Sequence, residues 1–202
     1  MTEKVICFTN GPWRQNCYIV RLKGKYVIVI DPGSDEVGIS RKLKELDLVP
    51  LAILNTHAHF DHIGAVMDLQ EKHQIPFFLH KADEPLLRRA NLYRLVFDGQ
   101  TSIRVPKNYV NLESQDHLEF AGNIIDVFET PGHTPGSVTF RIDNVLFTGD
   151  TLLVGGIGRY DLPGGDKDAL LNSILFYKSL SPHLTVYAGH GRPFTLSEGR
   201  FV

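Results

Sequence analysis

The segment His57-Ala58-His59-Phe60-Asp61-His62 decides how this chain is interpreted, because it places four side chains that can bind a metal ion within six positions. Neutral imidazole and carboxylate groups suit zinc, iron or manganese, whereas a site for softer ions would require thiolates. The alternative is a chance cluster of polar residues in a surface loop, but a chain with only 9 histidines rarely produces this spacing by chance. The segment therefore predicts a catalytic metal site.

The periodicity of the backbone predicts how these side chains are arranged. A short apolar run at residues 51–55 indicates a buried strand, and alternate side chains of an extended chain point the same way. We therefore expect His57, His59 and Asp61 to share one side as the strand ends. His62 breaks the alternation, and the apolar residues after it have a helical spacing. The chain must bend here, which would let the last two ligands face a second centre.

The composition is that of a globular protein. The chain has 202 residues, of which 43% are hydrophobic and 22% are charged, so we expect one domain over residues 1–202. A net charge of -2 offers no broad basic surface, which disfavours nucleic acid as a partner. No stretch approaches the roughly 18 consecutive apolar residues of a membrane helix, and the N-terminus lacks the regions of a signal peptide. We expect a cytoplasmic protein with no membrane partner, either a monomer or a small homo-oligomer.

Apolar runs and turn residues predict strands with helices between them. The predicted strands are residues 5–8, 17–21, 26–30, 124–128, 137–142, 145–148 and 184–187. The predicted helices are residues 36–46 and 168–180. Residues 91–111 are predicted to form a loop over one face, where substrate could meet it. Cys7 and Cys17 fall in strand-like contexts and are both expected to be buried. Two strand-rich halves with interspersed helices indicate an α/β protein of packed mixed sheets covered by helices.

Three further candidate ligands follow predicted strands in the second half of the chain. His133 lies in the stretch TPGHTPG (130–136), whose prolines and glycines form a tight loop. Asp150 ends the stretch FTGD (147–150), and His190 lies in AGHG (188–191). Taken singly, each of the three is more commonly a structural loop residue. Together with the first cluster they predict a larger metal centre.

With these seven residues the chain resembles the metallo-β-lactamase superfamily, whose His-x-His-x-Asp-His motif is followed by a His, an Asp and a His on later loops. The resemblance covers nearly the whole chain and implies an αββα sandwich of two mixed β-sheets flanked by helices. The ligand set that it implies is one metal on His57, His59 and His133, a second on Asp61, His62 and His190, and Asp150 bridging both. We therefore expect two divalent metal ions per chain, with zinc ahead of iron and manganese. An Asp at position 150, where the antibiotic-cleaving zinc enzymes of the family typically have Cys, argues against a β-lactamase.

Within that superfamily, the stretches FTGDTL (147–152) and GIGRYDLPGGD (156–166) look like the glyoxalase II group, whose members are hydroxyacylglutathione hydrolases or their relatives. The chain ends about a dozen residues after His190, so the C-terminal helical domain of full-length glyoxalase II is expected to be absent. This departure leaves the thiol carrier of the substrate open, as glutathione or another thiol. Arg159 falls where the full-length family has a basic residue near the substrate. Tyr160 is offset by one position from the family's substrate-contacting Tyr, and we expect both residues to contact substrate, Arg159 ahead of Tyr160.

The same residues support a definite chemistry without any family resemblance. Two divalent metals roughly 3.5 to 4 Å apart can share a water, lower its pKa towards neutrality and polarise a carbonyl oxygen. Attack of the bridging hydroxide would then hydrolyse an acyl thioester, of which S-lactoylglutathione is the example that the resemblance implies. Asp150 would orient the water, and Asp61, which completes the second site in the ligand set that the resemblance implies, is the other expected catalytic carboxylate. Asp31 is a candidate partner of a ligand histidine, because metal-bound imidazoles usually need an acceptor on the other ring nitrogen.

Three classes of function remain open. The first is a two-metal thioester hydrolase of glyoxalase II type, which the complete ligand set favours. The second is a persulfide dioxygenase, whose relatives share the motif but use one iron held by residues matching His57, His133 and Asp150. The third is another protein of the same fold, such as a lactonase, a metal-dependent nuclease or an interaction protein. The modest acidic charge and the intact ligand set disfavour the nuclease and the interaction protein.

Overall fold

The structure, a computed structural model, describes residues 3–99, 102–199 and 201. Its strands are β1 (Val5–Asn10), β2 (Gln15–Arg21), β3 (Tyr26–Ile30), β4 (Val49–Leu54), β5 (Phe77–Leu79), β6 (Val110–Asn111), β7 (His117–Phe120), β8 (Asn123–Glu129), β9 (Val138–Ile142), β10 (Val145–Gly149), β11 (Leu152–Leu153), β12 (Gly156–Ile157), β13 (Thr185–Ala188) and β14 (Phe194–Thr195). Its α-helices are α1 (Glu36–Glu45), α2 (Phe60–Ile63), α3 (Val66–His73), α4 (Glu84–Arg88), α5 (Ala90–Asp98) and α6 (Lys167–Ser179). Two short 3-10 helices cover Lys81–Asp83 and Leu196–Glu198.

The strands form two six-stranded mixed sheets. The first sheet has the order β1-β2-β3-β4-β5-β6, antiparallel from β1 to β3 and parallel from β3 to β6. The second has the order β14-β13-β10-β9-β8-β7, in which β10 and β13 are parallel and the other neighbours are antiparallel. Strands β11 and β12 pair separately as a two-stranded sheet. Parallel pairs in both sheets matter for function, because they bring strand ends to a common edge.

Alternation along the strands builds three apolar layers. In β3, Val27 and Val29 pack with residues of α1 and α3, whereas Ile28 and Ile30 face the second sheet. In β10, Phe147 faces the first sheet and the neighbouring residue Leu146 packs with residues of α6. A side chain of this size contributes about 1.5–3 kcal/mol when fully buried, so the strand register is well determined. The layer order is helix, sheet, sheet, helix, which confirms the αββα sandwich of two mixed sheets flanked by helices.

Helix α6 supports one of the loops predicted to carry a ligand. Asp166 caps the helix, since its side chain accepts a hydrogen bond from the backbone N–H of Ala169 at 3.0 Å. The backbone N–H of Asp166 donates to the carbonyl of Gly132 at 2.8 Å, and the Ser173 hydroxyl donates to the carbonyl of Pro131 at 2.7 Å. The start of α6 therefore fixes the loop that contains His133.

Three sequence predictions are corrected by the structure. The predicted loop at residues 91–111 begins as helix α5, and its residues 100 and 101 lie outside the described residues. Its apolar side chains did not mark one buried face, because several of them, including Leu95 and Val96, are exposed. Asp61 does not continue a strand, since β4 ends at Leu54 and Asp61 lies in α2. Cys7 is exposed, whereas the other cysteine is buried as expected.

Within the described ranges, no helix is long and apolar enough to cross a membrane.

Candidate metal centre

The predicted ligands come together because they follow the carboxyl ends of neighbouring strands. Strands β3 and β4 are parallel. Asp31 directly follows the end of β3, and His57 lies three residues after the end of β4. Strands β10 and β13 are also parallel, and they lead into Asp150 and His190. His133 lies in the loop that follows β8. Carboxyl ends of parallel strands lie at one edge of a sheet, and the two packed sheets bring these edges together.

One group of possible ligands consists of His57, His59 and His133, whose candidate ligand atoms all lie within 4.8 Å of one another. Nδ1 of His59 and Nε2 of His133 are 2.9 Å apart. Nδ1 of His133 lies 2.7 Å from the carbonyl oxygen of Arg159 and must donate to it, which leaves the lone pair of Nε2 facing the group. His57 is 1% exposed, and its Nε2 has no hydrogen-bond partner among the described residues. These three imidazoles can therefore offer three lone pairs to one cation.

A second group consists of Asp61, His62 and His190, again within 4.8 Å of one another. Nε2 of His190 lies 3.4 Å from Oδ2 of Asp61, and Nε2 of His62 lies 3.9 Å from the same oxygen. Nδ1 of His190 donates to the carbonyl of Trp13 at 3.1 Å, so its Nε2 is the nitrogen that faces the two carboxylates. Burial would lower the pKa of His190, but Asp61 and Asp150 outweigh burial and raise it. This group can hold a second cation.

Asp150 lies between the two groups. Its Oδ1 is 3.7 Å from Nε2 of His62, and its Oδ2 is 3.7 Å from Nε2 of His133 and 3.5 Å from Nε2 of His190. These distances are too long for hydrogen bonds. They are close to the roughly 3.3 Å or more expected between two ligands of one tetrahedral ion with bonds of about 2.0–2.2 Å. Oδ1 of Asp150 and Nε2 of His62 are buried without a hydrogen-bond partner in the described part of the chain. The donor set therefore fits two divalent ions that share Asp150.

The pKa values separate the two groups. Burial, followed by the neighbouring histidines, holds the pKa of His57 well below its ordinary value and lowers the pKa of His59 to about 3. Burial would also lower the pKa of His62, but the carboxylates of Asp61, Asp31 and Asp150 outweigh burial and raise it to about 9. His57 and His59 are therefore neutral imidazoles, the form that binds metal. In the second group a proton on His62 balances the carboxylates, and a cation would take the place of that proton.

Asp31 orients the second group. Its Oδ2 accepts a hydrogen bond from Nδ1 of His62 at 3.0 Å and one from the Thr56 hydroxyl at 2.6 Å, and its Oδ1 accepts from the Thr56 backbone N–H at 2.7 Å. The Thr56 hydroxyl thus gives its hydrogen to Asp31, so Nδ1 of His57, 3.0 Å from it, must be the donor. One buried carboxylate therefore fixes both rings with Nε2 facing inward. The contact predicted between Asp31 and a candidate ligand histidine is confirmed.

Asp83 is a positioning residue that the sequence did not reveal. It is fully buried, and its carboxylate accepts hydrogen bonds from the backbone N–H of Ala58 at 2.8 Å, the hydroxyl of Thr134 at 2.9 Å and the backbone N–H of Gly136 at 2.7 Å. Burial raises the pKa of Asp83, against the effect of these hydrogen bonds. Ala58 separates two of the proposed ligands and Thr134 follows a third, so Asp83 ties two ligand loops together. A lone Asp in an unremarkable stretch gave no sequence signal.

Close backbone approach explains a glycine next to a candidate ligand. A Cβ on Gly189 would overlap the carboxylate of Asp150 and would lie 2.7 Å from Cε1 of His62. Glycine is therefore required here for the loop after β13 to come close to the other ligands.

A pocket with a volume of about 290 Å³ opens beside the candidate ligands. Five of the possible ligands reach its wall, and the remaining lining residues are Trp13, Phe60, Leu86, Tyr93, Phe97, Leu153, Arg159, Leu162 and Pro163. Of the two predicted substrate contacts, Arg159 lines the pocket. Tyr160 does not, and its exposed ring lies 5.8 Å from Nζ of Lys167. The aromatic residues of the wall come from distant parts of the chain, so no local motif could have predicted them.

The chain was compared with known proteins. The sequence pattern of the metallo-beta-lactamase superfamily matches residues 10–190. Hydroxyacylglutathione hydrolase GloC of Haemophilus influenzae is 32% identical over 191 residues, which are 92% of this chain and 90% of that protein. The solved structure of TTHA1623 in a di-iron-bound form is 38% identical, with a TM-score of 0.88 and 96% of both chains covered. The structure of BLEG-1 B3 metallo-beta-lactamase is 35% identical, with a TM-score of 0.87 and 96% and 95% of the two chains covered. This chain therefore belongs to the metallo-beta-lactamase superfamily.

Proposed function

We propose that this chain, a metal-dependent hydrolase by its family, cleaves acyl thioesters at a centre of two divalent metal ions. The observation that carries the proposal is the position of Asp150, which lies 3.5 to 3.7 Å from histidine nitrogens of both groups and borders the pocket. The likeness to GloC supports a thioester as the substrate. The likeness to a protein that binds two irons supports two metals, with zinc, iron and manganese as the candidates.

The proposed ligands fall into the two groups that the distances between their ligand atoms define. His57, His59 and His133 would hold one ion, Asp61, His62 and His190 the other, and Asp150 both. When bound, such a pair of ions lowers the pKa of a water and polarises the carbonyl oxygen of the substrate. All seven residues lie between positions 57 and 190, and we propose that one domain carries the whole site.

The remaining groups of the site would act on the substrate and on the attacking water. Asp150 is placed to accept a hydrogen bond from that water and to orient it, and Asp61 faces the same space from α2. No separate acid is needed for departure of the thiol, because a thiolate leaves readily at neutral pH. Arg159 stands on the pocket wall and would contact the thiol part of the substrate. Tyr160 would contact only a substrate that extends beyond this wall.

The experiment that tests the proposal compares three reactions on one preparation with measured metal content. We expect release of thiol from S-lactoylglutathione, loss of this activity on chelation, and no oxygen uptake with glutathione persulfide. Asp150→Asn should lose both bound metal and activity, whereas His183→Ala, at an exposed histidine outside the metal-capable groups, should lose neither. Oxygen uptake without thioester cleavage would overturn the proposal in favour of a persulfide dioxygenase.

A second candidate function is the hydrolysis of β-lactams. It is favoured by one observation, the likeness over nearly the full chain to BLEG-1 B3 metallo-beta-lactamase. A β-lactam and a thioester both present a carbonyl to the same centre, so Asp150 argues against this second function but the other six proposed ligands do not separate the two. An assay of the same preparation with benzylpenicillin separates the two functions. Penicillin cleavage at a rate equal to or above that of the thioester would replace the first proposal with the second.

A further inference from the structure

We infer that the pocket beside the metal centre selects an uncharged, apolar group of the substrate, a phenyl ring or a chain of about six to eight carbons, over the polar S-lactoylglutathione. The inference rests on the proposed function, since it names the class of thioester that the same site would cleave. It follows from the composition of the wall, from its charges and from its size.

Apart from the candidate metal ligands, the wall of the pocket is almost entirely apolar. Nine described lining residues are not proposed ligands, and eight of these nine are apolar or aromatic. Trp13 lies between β1 and β2, Phe60 begins α2, and Tyr93 and Phe97 lie on α5. The rings of Trp13 and Phe60 meet edge to face, with centroids 6.0 Å apart. An apolar group that packs against these aromatic side chains leaves water without giving up hydrogen bonds, which favours its binding.

The charges at the pocket do not suit glutathione. Glutathione carries two carboxylates and an ammonium group, and each needs a partner if it leaves water. Apart from the histidines, Arg159 is the one cationic side chain among the described residues of this wall. Its guanidinium already makes two hydrogen bonds to the carboxylate of Asp161, at 2.9 and 3.0 Å. Arg94 lies in an adjoining crevice with Trp13 and Phe60, outside this wall. A charged carrier would therefore have to break the Arg159 pair or stay in solvent.

The size of the pocket sets the length of the group. The volume is about 290 Å³, and a cavity of about 150 Å³ lined by apolar side chains is enough to bind benzene. One ring with a short linker fits, as does a chain of about six to eight carbons. Either the acyl side or the thiol side of a thioester could carry this group, because both flank the scissile carbonyl.

The first measurement is kcat/KM along two series of thioesters. One series lengthens the acyl group from acetyl to octanoyl on N-acetylcysteamine, and the other lengthens the thiol from ethanethiol to octanethiol on an acetyl group. In one series we expect kcat/KM to rise about threefold per methylene up to about six carbons, close to the roughly fourfold of complete burial. The series that rises identifies the side of the substrate in the pocket. A flat response in both series, or a higher kcat/KM for S-lactoylglutathione than for every apolar thioester, would overturn the inference.

A matched pair of variants on α5 ties the selectivity to the pocket. Phe97 is 43% exposed and lines the pocket, whereas Leu95 on the same helix is 64% exposed and lies outside the wall. In the series that rises, Phe97→Ser should reduce the preference for the six-carbon over the two-carbon group about fivefold, and Leu95→Ser should leave it unchanged. Equal effects of the two substitutions would show that the preference does not arise in this pocket.

A binding measurement separates this inference from the proposed activity. Trp13 is the only tryptophan in the sequence and lies on the wall, so its fluorescence reports on the pocket. Metal-free protein titrated with the thioether S-hexyl-N-acetylcysteamine should show a saturable change that Phe97→Ser weakens and that S-methylglutathione does not produce. Saturable binding without any thioester hydrolysis supports the apolar pocket and overturns only the proposed thioesterase activity. Hydrolysis of thioesters without binding of the thioether overturns the apolar pocket and leaves the proposed activity standing.

Discussion

Replacing Asp83 by Asn tests whether a buried carboxylate positions the metal ligands. The substitution keeps the shape of the side chain but turns one acceptor oxygen into an NH₂ group. If that group faces Gly136 it opposes one N–H donor, and if it faces Ala58 and Thr134 it opposes two donors. Each lost bond to a charged acceptor costs about 1.5–3 kcal/mol, and a buried donor without a partner costs about 1–3 kcal/mol. We expect Asp83→Asn to lower the free energy of unfolding of the metal-free protein by about 3–5 kcal/mol.

The same substitution should weaken the metal site formed by His57, His59 and His133. Asp83 binds the backbone between the first two of these ligands and the loop of the third, so their geometry loses its common anchor. Loss of such an outer partner typically lowers metal affinity 10- to 100-fold. Competition of the protein with a chromophoric zinc chelator measures the two affinities separately. The affinity of the site that contains Asp61 should change little, because Asp83 makes no hydrogen bond to its ligands among the described residues.

A control variant separates positioning from general loss of stability. Leu43→Ala opens a cavity in the apolar layer between α1 and the first sheet and should cost about 2–5 kcal/mol without touching a ligand loop. It should bind both metals with wild-type affinity. If Asp83→Asn also binds both metals with wild-type affinity while losing as much stability as Leu43→Ala, the positioning role of Asp83 is refuted.

Four further predictions concern the metal centre. Asp31→Asn removes the anionic acceptor of His62 and should lower affinity at the second site about 10- to 100-fold in the same competition assay. With its pKa raised to about 9, His62 is protonated at pH 7, so calorimetry in buffers of different ionisation enthalpy should detect proton release on metal binding that falls by about one proton as pH rises through 9. Because this pKa is raised in the folded state, protonated His62 stabilises the metal-free fold fully below pH 6.5, and this stabilisation is lost as pH rises through 9. The contribution of His62 to the Tm should therefore fall across that range in the metal-free protein and not in the metal-bound protein. Gly189→Ala should reduce kcat at least 100-fold, because its Cβ overlaps Asp150, and near-normal turnover would contradict the observed packing.

The grouping of the candidate ligands could be predicted from sequence because their signal is local. Four donors in six positions, and three more next to glycines at strand ends, are visible without any tertiary structure. Apolar runs also predicted strands β3 and β10 correctly. The predicted extended path through Asp61 was wrong, because strand periodicity ends with β4 and helix α2 begins at Phe60. Asp61 therefore lies beside the other candidate ligands on a helix, and not on the extended strand that the alternation predicted.

There is a physical reason why the residues around the candidate ligands could not be predicted. Asp83 acts through hydrogen bonds to segments 25 to 53 residues away, and nothing in its own neighbourhood indicates those partners. Helix α5 was predicted as a loop although its apolar side chains recur at helical spacing, and this apolar face is largely exposed and not packed in the core. Trp13 and Phe97 become neighbours of one cavity only after the two sheets have packed.

The most direct test of the two-metal centre is the metal content of the wild-type protein and of Asp150→Asn, measured by elemental analysis after loading and removal of excess ion. Because Asp150 lies between both groups of ligands, the wild-type chain should hold about two ions and the variant one or fewer. A wild-type protein that never exceeds one ion per chain, or an Asp150→Asn variant that retains two, would contradict the shared centre.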